Sequence, residues 1–219
     1  SQRPRLPRLG WRTGRLRSWS SRDKETRRDW RLEIGAANTA AEAKSPVSKL
    51  YLSTAMNDAH LTHLTHLRTA IAVARRARDK GNHPFGAILV DETGAVLLEA
   101  ENTVNTDHDC TGHAETNLAR LACRRFERSV LERCTLYTST EPCAMCAGAI
   151  HWSGIGRVVF ALSEEGLYAL TSDGANPDNE TMTLPCREVF ARCVRPVEVI
   201  GPLIEDEARR VHEGFWTQH

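Results

Sequence analysis

Long apolar runs are missing from this chain: none of its 219 residues lies in a stretch near the roughly 20 apolar residues that cross a bilayer, and mean hydropathy is -0.43. A membrane-spanning role is not expected. A secretory leader, with charged, apolar and small-residue regions in succession, is missing too. With seven unevenly spaced cysteines, this points to a reducing compartment where thiols bind metal or stay buried. The expected address is cytoplasmic. Acid is scarce at the start, where residues 1–55 carry thirteen Lys/Arg against five Asp/Glu, a balance of +8. Because the whole chain sums to +1, residues 56–219 carry −7.

The first fifty-odd residues also lack any sustained helical or strand period and are rich in Arg, Ser and Pro. They read as a basic, disordered leader over 1–55: a nucleic-acid arm, a transit peptide or a translated leader. One domain is expected over 56–219, opening at Met56. With 41% apolar residues in 24.5 kDa, the chain can bury one full core.

From Asp58 the pattern changes. Leu61, Leu64, Leu67, Ile71 and Ala74 recur every three or four residues, predicting an amphipathic helix to about Lys80. His60, His63 and His66 step along it at three-residue intervals, without carboxylate or thiol company, and read as a solvated polar face rather than a metal site. Ala87–Val90 and Val96–Ala100 flank the turn residues Asp91 to Gly94 and predict a hairpin. A helix is expected from His113, a strand over Thr135–Thr140, and a helix from Pro142 to Trp152 with proline in its first turn. Strands near Arg157–Ala161 and Val197–Ile200 come next, separated by helix around Leu184–Cys193. A last helix covers Ile204–Phe215. Alternating strands and helices predict a mostly parallel sheet covered on both faces.

Two segments carry chemistry, Gly112-His113-Ala114-Glu115 and Glu141-Pro142-Cys143-Ala144-Met145-Cys146. Cys143 and Cys146, three apart, can turn both sulfurs to one side of a helical turn and grip one ion as thiolates. A Cys-x-x-Cys alone also suits a structural knuckle or a redox pair. A knuckle needs a second pair, and Cys110, Cys123, Cys134, Cys186 and Cys193 do not form one. His113 makes three ligands and leaves a fourth position for water, the pattern of catalytic zinc. His113 and Glu115, two apart, can share a site only where a helix begins, and Thr111-Gly112 provides that break. Glu115 is the candidate proton shuttle. The H-x-E and P-C-x-x-C arrangement is that of zinc deaminases.

In HPFGAILV, HDCTGHAETNLA and LYTSTEPCAMCAGAIHWSGIGRVVFA the chain is similar to the cytidine deaminase-like superfamily, in the branch of tRNA adenosine deaminases, guanine deaminases and fungal cytosine deaminase. The likeness covers about residues 58–216. It implies an α/β fold of three layers, α/β/α, with a five-stranded mixed sheet, a Zn2+ cofactor and a homodimer. It also places Asn102, the backbone of Ala114, and Phe85 with His83 beside a base. Asn102 would offer an amide donor and acceptor. By the same likeness Glu164, or its neighbour Glu165, would be a loop carboxylate at the end of the fourth strand. Phe215 and Trp216 of the last helix would close over the substrate.

The implied activity is hydrolytic deamination of the exocyclic amino group of a small nucleobase, nucleoside or related heterocycle, with release of ammonia. Val104 to His108 resembles guanine deaminases, and guanine-type substrates lead, with cytosine, adenosine-type and s-triazine substrates behind. Arg157-Val158-Val159-Phe160 looks equally like tRNA adenosine deaminases, which makes A-to-I editing of tRNA the alternative. The −7 balance of residues 56–219 weighs against a polyanionic substrate. A binding module that has lost catalysis would have to lack zinc or the shuttle, whereas all four residues are present.

Overall fold

The computed structural model describes residues 46–171 and 182–216, with side chains from Asp58 onward. The chain divides into two units, Ser1–Tyr51 and Leu52–His219. Most of the expected leader lies outside the described residues, and the whole sheet belongs to the second unit.

Helix α1 spans Pro46–Asp79, so the expected boundary at Met56 falls within a helical span. Leu67, Ala70, Val73, Ala74 and Ala77 are fully buried at the spacing of one helical face. That face is shifted from the one expected, since Leu61 is 59% exposed while His66 is only 9% exposed. The expected solvated face holds at His60, which is exposed, and is corrected at His63, which is half-buried, and at His66, which is buried. His66 packs 4.8 Å from the Tyr137 ring, and His63 Nδ1 lies 2.9 Å from the Tyr137 hydroxyl. The α1 residues that pack on the sheet, Leu67, Ala70 and Val73, lie beyond Met56. A chain starting there is expected to match the full-length kcat/KM on a small substrate, and a tenfold drop would show that the preceding residues serve the site.

Strand β1 (Gly86–Val90) forms a hairpin with β2 (Val96–Glu101), and Asp91 Oδ1 accepts from the Thr93 and Ala95 amides in the turn. After β2 come α2 (Val104–Asp107), α3 (Ala114–Arg125), α4 (Arg128–Leu131) and β3 (Thr135–Thr140). The chain continues through α5 (Ala144–Ser153), β4 (Arg157–Leu162), α6 (Glu164–Thr171), α7 (Cys186–Phe190), β5 (Glu198–Ile200) and α8 (Glu205–Arg209). The five-stranded sheet has the order β2-β1-β3-β4-β5. β1 is antiparallel to both β2 and β3, while β3, β4 and β5 run parallel. The sheet is thus mixed rather than mostly parallel, because the hairpin turns β1 against its neighbours.

Alternation along the central strands builds the three layers. Ala87, Leu89, Leu136, Val158 and Phe160 face one way and pack with Ala114, Leu118 and Ala122 of α3 and Ala147 and Ile150 of α5. Ile88, Val90, Tyr137, Val159 and Ala161 face the other way, toward Leu67, Ala70 and Val73 of α1 and Ala208 of α8. Gly86 is obligatory where β1 starts, since a Cβ there would lie 2.3 Å from the Ala74 amide nitrogen.

Several bounds differ from expectation. Pro142 precedes α5 rather than sitting in its first turn, and the last helix stops at Arg209, with turns carrying the chain to Trp216. Glu164 opens a helix instead of lying in a loop. Among the described residues no helix is long and apolar enough to cross a membrane.

Candidate active site

The two chemical segments meet at two helix starts. His113 is the N-cap of α3 and Cys143 the N-cap of α5, both with extended backbone. Glu115 and Cys146 lie in the first turns of those helices. The break expected at Gly112 holds His113 in place: Thr103 N–H donates to the Gly112 carbonyl at 2.8 Å, and Asn117 Nδ2 donates to the same oxygen at 3.1 Å. Amide hydrogens at two helix starts favour negative charge between them.

His113 Nδ1 lies 3.7 Å from Cys143 Sγ and 3.5 Å from Cys146 Sγ, and the donor atoms all lie within 4.8 Å of one another. Tetrahedral zinc, with sulfur at about 2.3 Å and nitrogen at about 2.0–2.1 Å, sets such pairs about 3.5 Å apart. The donor set fits zinc. Hydrogen bonds from the Cys146 thiol and from His113 pull Cys143 down into the thiolate range.

Glu115 is buried beside this trio, and burial pushes its carboxyl above the usual range. Its Oε2 lies 3.5 Å from Cys146 Sγ, and its Oε1 accepts from the Thr138 hydroxyl at 2.7 Å. The Thr138 hydroxyl is also 3.0 Å from the Thr140 carbonyl. Its one proton can go to an ionised Glu115, or to Thr140 when Glu115 is protonated and donates. Both protonation states of Glu115 are served.

Asn102 is fully buried, and its Oδ1 accepts from the Val104 amide at 3.1 Å. Its Nδ2 has no partner among the described residues. An orphaned buried donor costs about 1–3 kcal/mol unless a ligand takes it, so Asn102 offers its donor and has committed its acceptor. Ala114 is the first residue of α3, and position alone leaves its amide without an intrahelical acceptor. Glu164 is 4% exposed. Burial, and then the nearby Cys143, Glu141 and Glu115, push its carboxyl up to about 8.

Residues 61–162 match the family described as the cytidine and deoxycytidylate deaminase zinc-binding region. A probable cytosine deaminase of Schizosaccharomyces pombe is 50% identical over 153 residues, covering 70% of this chain and 91% of the relative. The chain belongs to this deaminase family. The guanine deaminase of Bacillus subtilis is 41% identical over 102 residues, 46% of this chain and 65% of that one. Among solved structures, the guanine deaminase of Nitrosomonas europaea superposes with a TM-score of 0.52 at 25% identity, over 67% of this chain and 80% of that one. A structure from work on tRNA:A34 deaminases superposes at 0.51 with 26% identity, over 68% and 99%.

The deaminase also gathers the expected aromatics. Phe85, His83, Phe215 and Trp216 form one cluster: the Phe85 and Trp216 rings are 6.1 Å apart, and the His83 and Trp216 rings 5.5 Å apart. The Phe85 carbonyl accepts the Asn102 amide at 3.1 Å, tying the cluster to Asn102. Glu165 is exposed and brings nothing to this centre.

Two contributors escape the sequence pattern, Thr138 and His212, while Glu141 stands at the head of the Glu141-to-Cys146 segment with no role of its own read for it there. Thr138, Ser139 and Thr140 are buried polar residues at the end of a wholly buried strand, which is the signal that could mark them. His212 stacks on Trp216 with ring centroids 6.0 Å apart and is 2% exposed, with neither ring nitrogen bonded among the described residues.

Burial, helped by nearby Arg78, pulls His212 down to about 3. The unfolded chain binds a proton near pH 6.5 that the fold rejects, so stability is complete above that pH and falls toward pH 3. Each pH unit inside this window costs about 1.4 kcal/mol. His212→Phe is expected to remove about 1.4 kcal/mol of the stability difference between pH 7.5 and 5.5 in denaturant titrations, since about one pH unit of that interval lies inside the window. An unchanged slope would assign the acid sensitivity to other groups.

Proposed function

We propose that this deaminase hydrolyses the exocyclic amino group of a free nucleobase, cytosine before guanine, giving the keto base and ammonia. The observation that carries the choice of base is the 50% identity to a probable cytosine deaminase across 91% of its length. The guanine-type substrate expected from the sequence becomes the second reading, favoured by Val104 to His108 and by the likeness to two guanine deaminases.

His113, Cys143 and Cys146 are the residues proposed to hold zinc, which when bound makes hydroxide available at neutral pH. Glu115 takes a proton from the attacking water and delivers it to the ring nitrogen beside the amino-bearing carbon. It then moves a proton to the departing ammonia. Its burial and its 2.7 Å contact with Thr138 support this shuttle, because the carboxyl can hold or release a proton without moving. Asn102 Nδ2 donates to a ring carbonyl, while Glu164 meets a ring N–H. The Ala114 amide faces the base, and Phe85 and Trp216 cover it.

The same reading takes residues 56–219 as the catalytic domain, with residues 1–55 as an appendage, in a cytoplasmic homodimer. Trp152, 78% exposed on α5, supports such an interface.

An ammonia-release screen over cytosine, guanine, isoguanine, adenine, their nucleosides, ammeline and a tRNA anticodon stem-loop tests the substrate. Cytosine is expected to turn over fastest, with uracil as product. Activity on the stem-loop alone would overturn the small-base reading.

A further inference from the structure

Glu141 is 6% exposed and stands immediately before Pro142 and Cys143. Its backbone amide donates to the Leu162 carbonyl at 2.7 Å, which fixes it to the end of β4. Its carboxylate then makes two bonds in different directions. Oε2 accepts the Glu164 amide at 3.1 Å, at the start of α6, and Oε1 accepts the Cys186 amide at 2.9 Å, at the start of α7. Helix starts leave amide hydrogens without partners, and a buried carboxylate needs such donors. The two needs satisfy each other.

We infer that Glu141 is a positioning residue, whose carboxylate anchors the start of α6 and so sets where the Glu164 carboxyl stands beside the metal-binding trio. This rests on the proposed contact of Glu164 with substrate. The start of α6 is otherwise held by Ser163, whose Oγ accepts the Gly166 amide at 3.0 Å, and by Glu205 Oε1, which accepts from the amide and hydroxyl of Ser163 at 3.1 and 2.6 Å. Those bonds fix Ser163 and Gly166, on either side of Glu164 and Glu165. Among the described residues, only the bond from Glu141 fixes the amide of Glu164 itself. A side chain on the rigid end of β3 and β4 can hold a binding group to within the fraction of an ångström that recognition needs.

Glu141→Gln keeps the shape but offers one amide an oxygen and turns an NH2 group toward the other. The variant is expected to keep one zinc per chain, to raise KM about tenfold, and to change kcat less than threefold. In a Glu164→Ala background the same substitution is expected to change KM less than twofold, because there is no carboxyl left to place. Equal KM effects of Glu141→Gln in both backgrounds would overturn the inference and leave Glu141 as a general structural residue. Should Glu164→Ala itself leave KM unchanged, the proposed substrate contact falls. The anchor is then judged on amide hydrogen exchange of the wild-type protein, which needs no variant to fold. Protection at the Glu164 and Cys186 amides at least tenfold above exposed peptide is expected, and free-peptide exchange at Glu164 would overturn the inference. Glu141→Asp, shorter by one methylene and able to reach one amide at most, is expected to give an intermediate KM.

Discussion

Glu115→Gln is expected to bind one zinc per chain, melt within a few degrees of the wild type, and lose at least about 10²-fold in kcat, the lower range for a general acid-base group. The amide fills the same buried volume, and its oxygen can still accept from Thr138, so folding has little to lose. Chemistry has much to lose, because an amide cannot take the water's proton. Steady-state kinetics with metal analysis on the same preparation checks this. A variant that keeps more than about a tenth of wild-type kcat would remove Glu115 from the shuttle role.

Cys146→Ser has a larger effect on the molecule as a whole. The sulfur is fully buried and lies within 3.5 Å of His113 Nδ1, Glu115 Oε2 and the Thr116 hydroxyl. Of these, His113 Nδ1 belongs with Cys143 and Cys146 to the donor set that fits zinc. Serine is a poor zinc ligand, and zinc that binds only the folded chain stabilises it. The variant is expected to hold under a tenth of an equivalent of zinc. Losing about 4 kcal/mol would lower Tm by about 8–16 °C for a domain of this size. Calorimetry with metal analysis reads both. A variant with full zinc content would show that another residue completes the ligand set.

The candidate metal-binding trio is legible in the sequence because its chemistry is local: a thiol pair three residues apart at one helix start, and an imidazole with a carboxylate at another. The hairpin and the Thr135–Thr140 strand are legible from alternation and turn residues, and both stand where expected. What the sequence does not show depends on partners far along the chain. Helix α6 has a glycine in its third position and no long apolar stripe, and its first amide is held by Glu141, 23 residues away. His66 reads as a surface histidine until Tyr137 of β3 packs against it. His212, between Val211 and Glu213, looks solvated, and its burial comes from Phe85 and Trp216 closing around it. Leu61 carries the apolar period, yet the core lies deeper along α1, at Leu67 to Ala77. The antiparallel pairing of β1 with β3 is a long-range choice that no local pattern encodes.

The proposed function turns on the candidate metal trio and on hydrolysis at an amino-bearing ring carbon, and one titration reaches both. Metal-stripped protein is supplied with increasing zinc while uracil and ammonia formation from cytosine are measured. Activity is expected to rise from background in proportion to zinc, to saturate at one equivalent per chain, and to yield uracil and ammonia in equal amounts. Full activity in the stripped protein would contradict a zinc-dependent hydrolysis at this site.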